Sequence, residues 1–485
     1  MRSLLSVVHV LGSLLALFSL YFILPIITAL IYGERAVIEF LISAGLTAAI
    51  GLTLRLATTR FRTELKPRDG YLLVTLSWLG VAAVATIPLM MQINGLSFTD
   101  AFFETMSGLS TTGATVITGL DTLPHAVNLW RHALNWLGGM GIIVLAVAIL
   151  PLLGVGGMQM YRAETPGPVK DAKLTPRITE TAKLLWMVYA GITAACVLGL
   201  WLAGMSLFDA ICHAFATMAL GGFSTYDASI GHFNSPAIEF VLMIFMLLAA
   251  MNFATHFVAL RKGLPSAYAR DPETRWLLVW VLLSCVGIAA FIYHAGVYDN
   301  FLTALRFASF NLISIATDCG FVNTDYGRWP IFAPMWMLFL SCLCANTGST
   351  GGGIKTFRAL VLIKQSFREM FTLVHPQAVA PLKIAGHVVA NRVVYSVLAF
   401  IFLYFMTIVV LTFGLLASGL DLTSALTAII ACINNAGPGL NVVGPASNYG
   451  ALSDFQTWLC TTAMFMGRIE VFTFVVLFTP AFWRK

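Results

Sequence analysis

Long apolar segments, repeated along the whole chain, constrain this sequence more than any other feature. The hydrocarbon core of a bilayer is about 30 Å thick, so a helix needs about 20 mainly apolar residues to cross it. Ten segments reach about that length, and they cover residues 4–30, 37–57, 71–92, 132–155, 184–204, 237–260, 276–297, 331–349, 393–416 and 456–480. The sequence therefore predicts an all-α polytopic membrane protein with ten transmembrane helices.

The composition supports the same class of protein. Of the 485 residues, 59% are hydrophobic and 10% are charged, whereas soluble domains have about 45–50% apolar and about 25% charged residues. So little charge excludes a basic groove for nucleic acid and a large soluble catalytic domain. The eight cysteines lie almost wholly within the apolar segments, without metal-binding spacing, so we expect them to pack as small apolar side chains.

Basic residues predict the orientation, because Lys and Arg are enriched in cytoplasmic loops. Of the 28 Lys and Arg residues, 23 fall on one side of the predicted spans. The other five are Arg35, Arg131, Arg306, Arg328 and Arg468. This pattern predicts that both termini are cytoplasmic. The first apolar segment is too long for a cleavable signal peptide, so we expect none.

A unit of two long segments, one short segment and one loop occurs four times. The short apolar segments have too few residues to cross a bilayer, and they cover residues 98–109, 207–218, 300–315 and 421–433. Each precedes a polar loop on the outer side with a glycine in register, and these glycines are Gly113, Gly222, Gly320 and Gly437. We therefore predict an N-terminal transmembrane hairpin (1–66) and four helix–pore loop–helix repeats around a central pore. The repeats would span residues 67–165, 166–265, 266–375 and 376–485.

The four loops have the properties of a cation filter. Non-helical backbone at membrane depth must be buried in protein or line a water-filled cavity, and the C-terminal ends of the short helices carry partial negative charge. Glycine permits the backbone conformations that turn carbonyl groups toward an ion, as in potassium filters. The predicted filter comprises Thr111, Thr112, Gly113, Leu220, Gly221, Gly222, Asp318, Cys319, Gly320, Asn435, Ala436 and Gly437, with the carbonyls before each registered glycine as ligands. The alternative is an outer cap that binds no ion.

Three motifs resemble those of the potassium transporter superfamily that comprises the Trk, Ktr and plant HKT proteins. They are Thr111–Thr115 in the first loop, Asn434–Gly437 in the fourth, and Asn346–Lys355 in the third repeat. The resemblance covers residues 71–480, and the extra hairpin and the length are most similar to the bacterial TrkH family. It implies potassium uptake across a bacterial inner membrane. A glycine at position 113, where serine accompanies Na⁺ preference in this superfamily, favours K⁺. The loops lack the channel sequence Thr-Val-Gly-Tyr-Gly, so we expect a shorter and less selective filter.

A glycine-rich segment interrupts the third repeat and is a candidate gate. Its residues are Asn346, Thr347, Gly348, Ser349, Thr350, Gly351, Gly352, Gly353 and, after Ile354, Lys355. Four glycines in ten residues disfavour a helix, at about 1 kcal/mol for each glycine relative to alanine. The resemblance implies an intramembrane loop that obstructs permeation and moves on gating. The alternative is an ordinary helix end with a glycine cap.

Arg468 is the only basic residue in the interior of a predicted span. Charge inside a membrane costs a few kcal/mol or more and usually faces the bundle interior or water. A positive charge below a cation filter would raise the barrier to permeation, and the resemblance implies the same role. The alternative is a structural arginine bonded to carbonyls or a carboxylate. Glu470 lies two residues on, so we expect it to be a poor direct partner.

Other polar residues in or near the membrane segments receive simpler interpretations. The carboxylates Glu104, Asp209, Asp318 and Asp421 lie near the pore segments on the outer side, and we interpret them as solvated or helix-capping groups rather than as a cation-concentrating mouth. Asn252 and His256 stand four residues apart on one helix face. We interpret this pair as interhelical hydrogen bonding, because no third metal ligand is evident.

Three classes of function fit these features to different degrees. Channel-like potassium conduction fits four parallel repeats with loops entering from outside. A secondary symporter that couples K⁺ to H⁺ or Na⁺ usually has two inverted repeats and a midplane site, which fits less well. We do not expect an enzyme, because the sequence has no His-Glu-x-x-His motif, phosphate-binding loop or Ser-His-Asp grouping.

The expected ligands and partners follow from the same features. Potassium is the expected ion, with no covalent cofactor and no nucleic acid. The cytoplasmic loops are short, so any nucleotide must bind to a separate subunit. The resemblance implies a homodimer on a TrkA-like cytoplasmic ring with nucleotide-binding domains. The basic loops could also contact anionic membrane lipid.

Overall fold

A computed structural model describes residues 2–61, 65–141, 178–263 and 266–484. Within these ranges six helices are long and apolar enough to cross a membrane, and two further helix pairs qualify if each bent pair is one span. The six are Leu4–Tyr32, Val37–Ala57, Arg68–Gln92, Ala182–Leu202, Pro272–His294 and Asn391–Ala417. The predicted all-α polytopic membrane fold is confirmed.

Twenty α-helices follow one another along the described ranges of the chain. Those that precede the third pore loop are α1 (Arg2–Phe18), α2 (Ile23–Tyr32), α3 (Val37–Ala57), α4 (Pro67–Gln92), α5 (Phe98–Leu109), α6 (His125–Gly139), α7 (Ile178–Leu202), α8 (Leu207–Ala219), α9 (Pro236–Ala250), α10 (Phe253–Lys262), α11 (Ser266–Arg270), α12 (Pro272–His294) and α13 (Phe301–Ala316). Those that follow it are α14 (Phe332–Ser341), α15 (Thr356–Val374), α16 (Asn391–Ala417), α17 (Leu422–Asn434), α18 (Asp454–Arg468), α19 (Val471–Val475) and α20 (Pro480–Trp483). A small antiparallel hairpin, β1 (Lys383–Ile384) with β2 (His387–Val388), lies between α15 and α16.

Two spans predicted as continuous helices are broken. The segment predicted at 237–260 consists of α9 and α10, which meet at 99°, and the one at 456–480 consists of α18 and α19–Phe478, which meet at 109°. At the first break the Asn252 side chain accepts a hydrogen bond from the Ala254 N–H at 2.8 Å and so begins a new helix. The prediction of continuous helices here is wrong. The residues on both sides of the break are apolar, so hydropathy alone does not reveal the new helix start that the Asn252 cap produces.

The predicted span at 331–349 is wrong in its second half. Helix α14 ends at Ser341, and the chain is not helical again until α15 begins at Thr356. The predicted span at 132–155 begins earlier, at His125 in α6, and its part beyond residue 141 lies outside the described residues.

Four short helices lie at the centre of the molecule. Helix α5 is buried on every face from Ala101 to Leu109, and α8, α13 and α17 are likewise buried at their C-terminal ends. A helix that is buried all round belongs to the core of a bundle rather than to its rim. Each short helix begins with a side-chain cap, and the capping residues are Ser97, Ser206, Asn300 and Asp421. Each helix therefore begins at its cap and ends, at its C-terminus, in the buried centre.

Candidate functional site: a ring of four pore loops

The four loops that follow α5, α8, α13 and α17 share one backbone conformation. In each loop the registered glycine has a positive φ, and so does the residue two positions before it. The φ values are 59° at Thr111, 55° at Leu220, 65° at Asp318 and 59° at Asn435, and 79°, 62°, 84° and 86° at the four registered glycines. Four unrelated side chains in the same left-handed conformation indicate that the surrounding structure imposes it, since that region costs a residue other than glycine about 1 kcal/mol or more.

Each loop also ends its helix with the same hydrogen bonds. The residue between the two left-handed positions donates its N–H to the carbonyl five residues back. The four bonds are Thr112 to Ser107 at 2.9 Å, Gly221 to Ala216 at 2.8 Å, Cys319 to Ser314 at 2.8 Å and Ala436 to Ala431 at 2.8 Å. This is the Schellman pattern of helix termination. The chain thus turns away from each helix in the same way, and the four loops are structurally equivalent.

The registered glycines close the four loops into a ring. A Cβ atom built on any of them would lie less than 3.0 Å from a backbone carbonyl oxygen of another loop. The four contacts are Gly113 with Gly221 O, Gly222 with Cys319 O, Gly320 with Ala436 O, and Gly437 with Thr112 O. They run from loop 1 to loop 2, on to loops 3 and 4, and back to loop 1. In every case the carbonyl belongs to the residue just before the next registered glycine.

The ring thus brings together the twelve residues that were predicted as the filter. Glycine is required at the registered positions for two reasons, the positive φ and the close carbonyl of the neighbouring loop. Which carbonyls coordinate an ion stays a prediction. The ring opens into a cavity lined by all four registered glycines and by Thr115, Ser224, Asp227, Asn448 and Tyr449.

A buried ion pair holds loop 1 to loop 2. The Nε atom of Arg131 in α6 donates to the Glu104 carboxylate at 2.8 Å, and Nη1 donates to the Ser224 carbonyl at 3.2 Å. Both side chains are almost fully buried. Glu104 also accepts hydrogen bonds from Thr115 Oγ1 and the Val116 N–H, each at 3.0 Å. The sequence analysis interpreted Glu104 as solvated or helix-capping, and its burial against Arg131 shows that this interpretation is wrong.

The other predicted outer carboxylates also have structural partners. Asp209 is buried and accepts hydrogen bonds from Thr225 Oγ1 at 2.8 Å and Tyr226 Oη at 3.2 Å, which fix loop 2. Asp421 caps α17, and hydrogen bonds from Ser424 lower the pKa of its carboxyl group below the ordinary value. The helix-capping interpretation holds for Asp421, whereas burial shows that neither Asp209 nor Asp318 is a solvated carboxylate.

A non-helical segment of turns, residues 342–355, lies directly below the ring, and we refer to it as the intramembrane loop. Its Gly352 N–H donates to Asp318 Oδ2 in pore loop 3 at 3.0 Å. Thr350 Oγ1 donates to the Met218 carbonyl near the end of α8 at 3.0 Å. The segment is therefore not the continuation of a helix that ends in a glycine cap.

The remaining residues of the predicted gate tie this loop to its neighbours. The Asn346 and Thr347 N–H groups donate to Ala250 O at 3.1 Å and to Glu273 Oε2 at 2.7 Å. The Gly348 carbonyl accepts from the Phe253 N–H at 3.1 Å. Within the segment, Ser349 Oγ donates to Asn346 O and Lys355 Nζ donates to Gly351 O. Gly353 packs against the end of α14, since a Cβ there would lie 2.7 Å from Ser341 O. The intramembrane loop therefore contacts the break between α9 and α10, the start of α12 and the ring itself.

Arg468 connects the intramembrane loop to pore loop 1. Its Nη1 atom donates to the Thr350 carbonyl at 2.8 Å and to Thr111 Oγ1 at 3.2 Å. Its Nη2 atom donates to the Gly139 carbonyl at 3.0 Å and also to the Gly138 carbonyl. The arginine lies at the C-terminal end of α18 rather than mid-helix. It is bonded to carbonyls, as the structural alternative expected, and it is also placed directly under the ring.

Sequence reasoning missed the partner of Glu470. This carboxylate accepts from Arg358 Nη2 at 2.7 Å, and the Arg358 guanidinium stacks on Phe400 at 4.0 Å from the ring centroid. The pair joins α15, which follows the intramembrane loop, to the break after α18. The expectation that Glu470 is a poor partner for Arg468 agrees with this geometry. No sequence signal links residues 112 positions apart.

Asn252 and His256 act locally. Asn252 caps α10, and His256 Nε2 lies 2.8 Å from the Leu248 carbonyl while Nδ1 lies 2.9 Å from Tyr268 Oη. The pair thus bonds neighbouring helices across a break. The described residues contain no group of three or more metal-ligating side chains.

The fold and the ring define a class: a polytopic membrane transport protein built from four pore-loop repeats. A family model for TrkH, described as a cation transport protein, matches residues 37–485. The chain belongs to this TrkH family.

Named relatives cover the whole chain. It is 46% identical over 487 residues to the Trk system potassium uptake protein TrkH of Vibrio parahaemolyticus, with 99% of each chain covered. The Escherichia coli protein of the same name is 45% identical over 482 residues, again with 99% of each covered. The crystal structure of the potassium transporter TrkH from Vibrio parahaemolyticus superposes with a TM-score of 0.89 at 42% identity, covering 99% of this chain and 100% of that one.

Proposed function

We propose that this protein takes up potassium across a bacterial inner membrane through the ring of pore loops. The observation that carries the proposal is the closed cycle of contacts between each registered glycine and the next loop's carbonyl. Four equivalent carbonyls from one chain can replace the hydration shell of a monovalent cation. Relatives named as potassium uptake proteins support K⁺ as that cation.

The conduction pathway we propose is channel-like. Ions pass through the ring, with carbonyls of Thr111, Thr112 and their counterparts in the other loops as ligands. The intramembrane loop and Arg468 obstruct the inner side, since Arg468 bonds to both Thr350 and Thr111. Opening requires these bonds to break and the loop to move. Coupled symport with H⁺ or Na⁺ is the alternative, and no contact described above favours it.

The proposed assembly has a regulatory subunit outside the membrane. We propose a homodimer on a TrkA-like cytoplasmic ring that carries the nucleotide-binding domains, with both termini of this chain cytoplasmic and lipid around the spans. The name Trk system, given to relatives, supports a multi-subunit arrangement. Helix α15 continues directly from the intramembrane loop, and its Lys364 donates a hydrogen bond to Lys383 in the β1–β2 hairpin, so this helix and hairpin would transmit the signal.

Reconstitution tests the proposed function. Purified protein in liposomes loaded with KCl should accumulate ⁸⁶Rb⁺, and external K⁺ should compete more strongly than Na⁺. Channel-like conduction predicts that uptake follows the K⁺ diffusion potential and persists without any H⁺ or Na⁺ gradient. Uptake that ceases when those gradients are removed would support symport, and liposomes that take up no ⁸⁶Rb⁺ would refute potassium conduction by this chain.

A further inference from the structure

Asp318 differs from the other residues of the ring because it places a carboxylate in the protein interior. The residue is fully buried. It occupies in pore loop 3 the left-handed position that Thr111, Leu220 and Asn435 occupy in the other loops. Its Oδ2 atom accepts the Gly352 N–H at 3.0 Å, whereas its Oδ1 atom has no hydrogen-bond partner among the described residues. Half of this carboxylate is therefore unsatisfied.

The charge of this carboxylate is not balanced by an ion pair. Among the described residues no basic side chain lies within 4.0 Å of it. Lys355 interacts with Asp318 through space, but its ammonium group donates to the Gly351 carbonyl instead. A buried carboxylate that makes no salt bridge and leaves one oxygen without a hydrogen bond is energetically costly. A cation supplied from the pore would offset that cost.

A second unsatisfied oxygen borders the same part of the intramembrane loop. Asn435 Nδ2 donates to Thr112 Oγ1 at 3.0 Å and to the Met464 carbonyl at 2.9 Å, which leaves the buried Asn435 Oδ1 without a partner. A Cβ built on Gly352 would lie 3.1 Å from Asn435 Oδ1, and one built on Gly351 would lie 3.3 Å from Asp318 Oδ2. Side-chain oxygens of loops 3 and 4 thus lie against two consecutive glycines beneath the ring.

We propose that the Asp318 carboxylate and the Asn435 side-chain oxygen form a side-chain binding site for a monovalent cation at the inner end of the ring. The site takes a dehydrated K⁺-sized ion, whose usual ligands are oxygens. It rests on the proposed function, because the ion reaches it through the ring. Loop 2 contributes Leu220 and therefore no oxygen, and in loop 1 Arg468 donates to the Thr111 hydroxyl.

The site also links ion occupancy to the intramembrane loop. Asp318 Oδ2 accepts the Gly352 N–H, so an ion on this carboxylate competes with the loop for the same charge. Binding therefore weakens one of the bonds that hold the loop under the ring. An empty site leaves that bond at full strength.

The test compares wild type with Asp318→Asn, which keeps the size of the side chain but removes its charge. In liposomes the KM for ⁸⁶Rb⁺ uptake should rise about tenfold, the change that 1.4 kcal/mol of binding free energy represents. In detergent the KCl concentration that gives half of the thermal stabilisation should rise by a similar factor, since a ligand stabilises a protein according to its affinity. Asp325→Asn is the matched control, because Asp325 pairs with the exposed Arg328 outside the ring, and both values should stay at wild type.

The outcomes separate this site from other roles. An unchanged KM with an unchanged KCl midpoint would overturn the site, and so would a higher maximal rate at an unchanged KM, which would leave Asp318 as a tether only. If Asp318→Asn fails to fold, Asp318→Thr replaces it, because loop 1 has threonine at the equivalent position. The same rise in KM and in the KCl midpoint is expected for that variant. If wild-type liposomes take up no ⁸⁶Rb⁺, the proposed function fails, while the KCl midpoint still decides the site by the same comparison.

Discussion

At the residue scale, the registered glycines and their neighbours differ in how far sequence predicted them. Gly113 and its three counterparts were predicted from their regular spacing in the sequence. The structure explains the pattern, because only glycine tolerates both a positive φ and a carbonyl at such short range. The left-handed conformation at Thr111 or Leu220 had no sequence signal, since neither residue type favours it. Tertiary contacts between loops impose it. The order of loops around the ring likewise appears only in three dimensions.

Gly113→Ser should reduce K⁺ selectivity. The serine Cβ would meet the Gly221 carbonyl of the neighbouring loop and would sit at a φ of 79°, so the ring must distort at this position. Competition of K⁺ and Na⁺ against ⁸⁶Rb⁺ uptake in liposomes measures the effect, and we expect the K⁺ preference to fall about tenfold, the equivalent of 1.4 kcal/mol.

The control for that substitution is Gly296→Ser. Gly296 has a φ of 74°, yet a Cβ there would have nothing within 4 Å. It therefore introduces the same backbone strain without a carbonyl contact, and selectivity should stay at wild type. Equal selectivity of Gly113→Ser and Gly296→Ser would show that the ring contact does not set ion preference.

Arg131→Ala should destabilise the protein strongly. The substitution leaves the Glu104 carboxylate buried without its counter-charge, and breaking a buried pair in this way costs about 3–5 kcal/mol. Arg328→Ala removes an arginine whose side chain is 87% exposed, so it should cost at most about 1 kcal/mol. Thermal unfolding of the purified variants in detergent measures both. Indistinguishable melting of the two variants would contradict a structural role for the buried pair.

At the element scale, long apolar helices were predictable and breaks in them were not. Helices α3 and α16 match their predicted segments closely because each is a continuous run of apolar residues. The breaks after Ala250 and Arg468 lie inside equally apolar runs, and they arise from a cap at Asn252 and a positive φ at Glu470. The intramembrane loop was predictable from its glycines, but its beginning at residue 342 was not. Cys342 to Ala345 continue the apolar run of α14, so their sequence gives no sign that the helix has ended.

Arg468→Ala should increase ion flux, because this residue is the link between two elements, the intramembrane loop and pore loop 1. Alanine removes the bonds to Thr350 and Thr111 together with the positive charge beneath the ring. We expect ⁸⁶Rb⁺ uptake into liposomes to rise severalfold at saturating Rb⁺. Arg468→Lys keeps the positive charge but cannot make the same forked set of hydrogen bonds, so it separates the effect of the charge from the effect of the bonds. Wild-type rates in both variants would leave Arg468 with a structural role alone.

At the scale of the whole molecule, four equivalent loops form one ring, while the elements beneath the ring are not equivalent to one another. The third repeat supplies the intramembrane loop and Asp318, and the fourth supplies Arg468 and Asn435. The first contributes the carbonyls that Arg468 binds, at Gly138 and Gly139. The sequence repeat therefore predicts the ring of equivalent loops, but it does not predict the contacts beneath the ring, because those contacts involve residues that differ from repeat to repeat.

The orientation of the chain in the membrane is a property of the whole molecule. The predicted orientation, with both termini cytoplasmic, determines which surfaces a membrane-impermeant thiol reagent should reach. All eight native cysteines are free, and seven are buried, which keeps background labelling low. Asp325→Cys lies near the cavity at the ring, since the neighbouring Gly327 approaches Pro445 of the cavity lining, whereas Leu373→Cys lies near the end of α15 with 81% of the residue exposed. With cytoplasmic termini, right-side-out vesicles should label Asp325→Cys, and inside-out vesicles should label Leu373→Cys. The reverse pattern would invert the topology and place the intramembrane loop outside the ring, where it could not act as an inner gate.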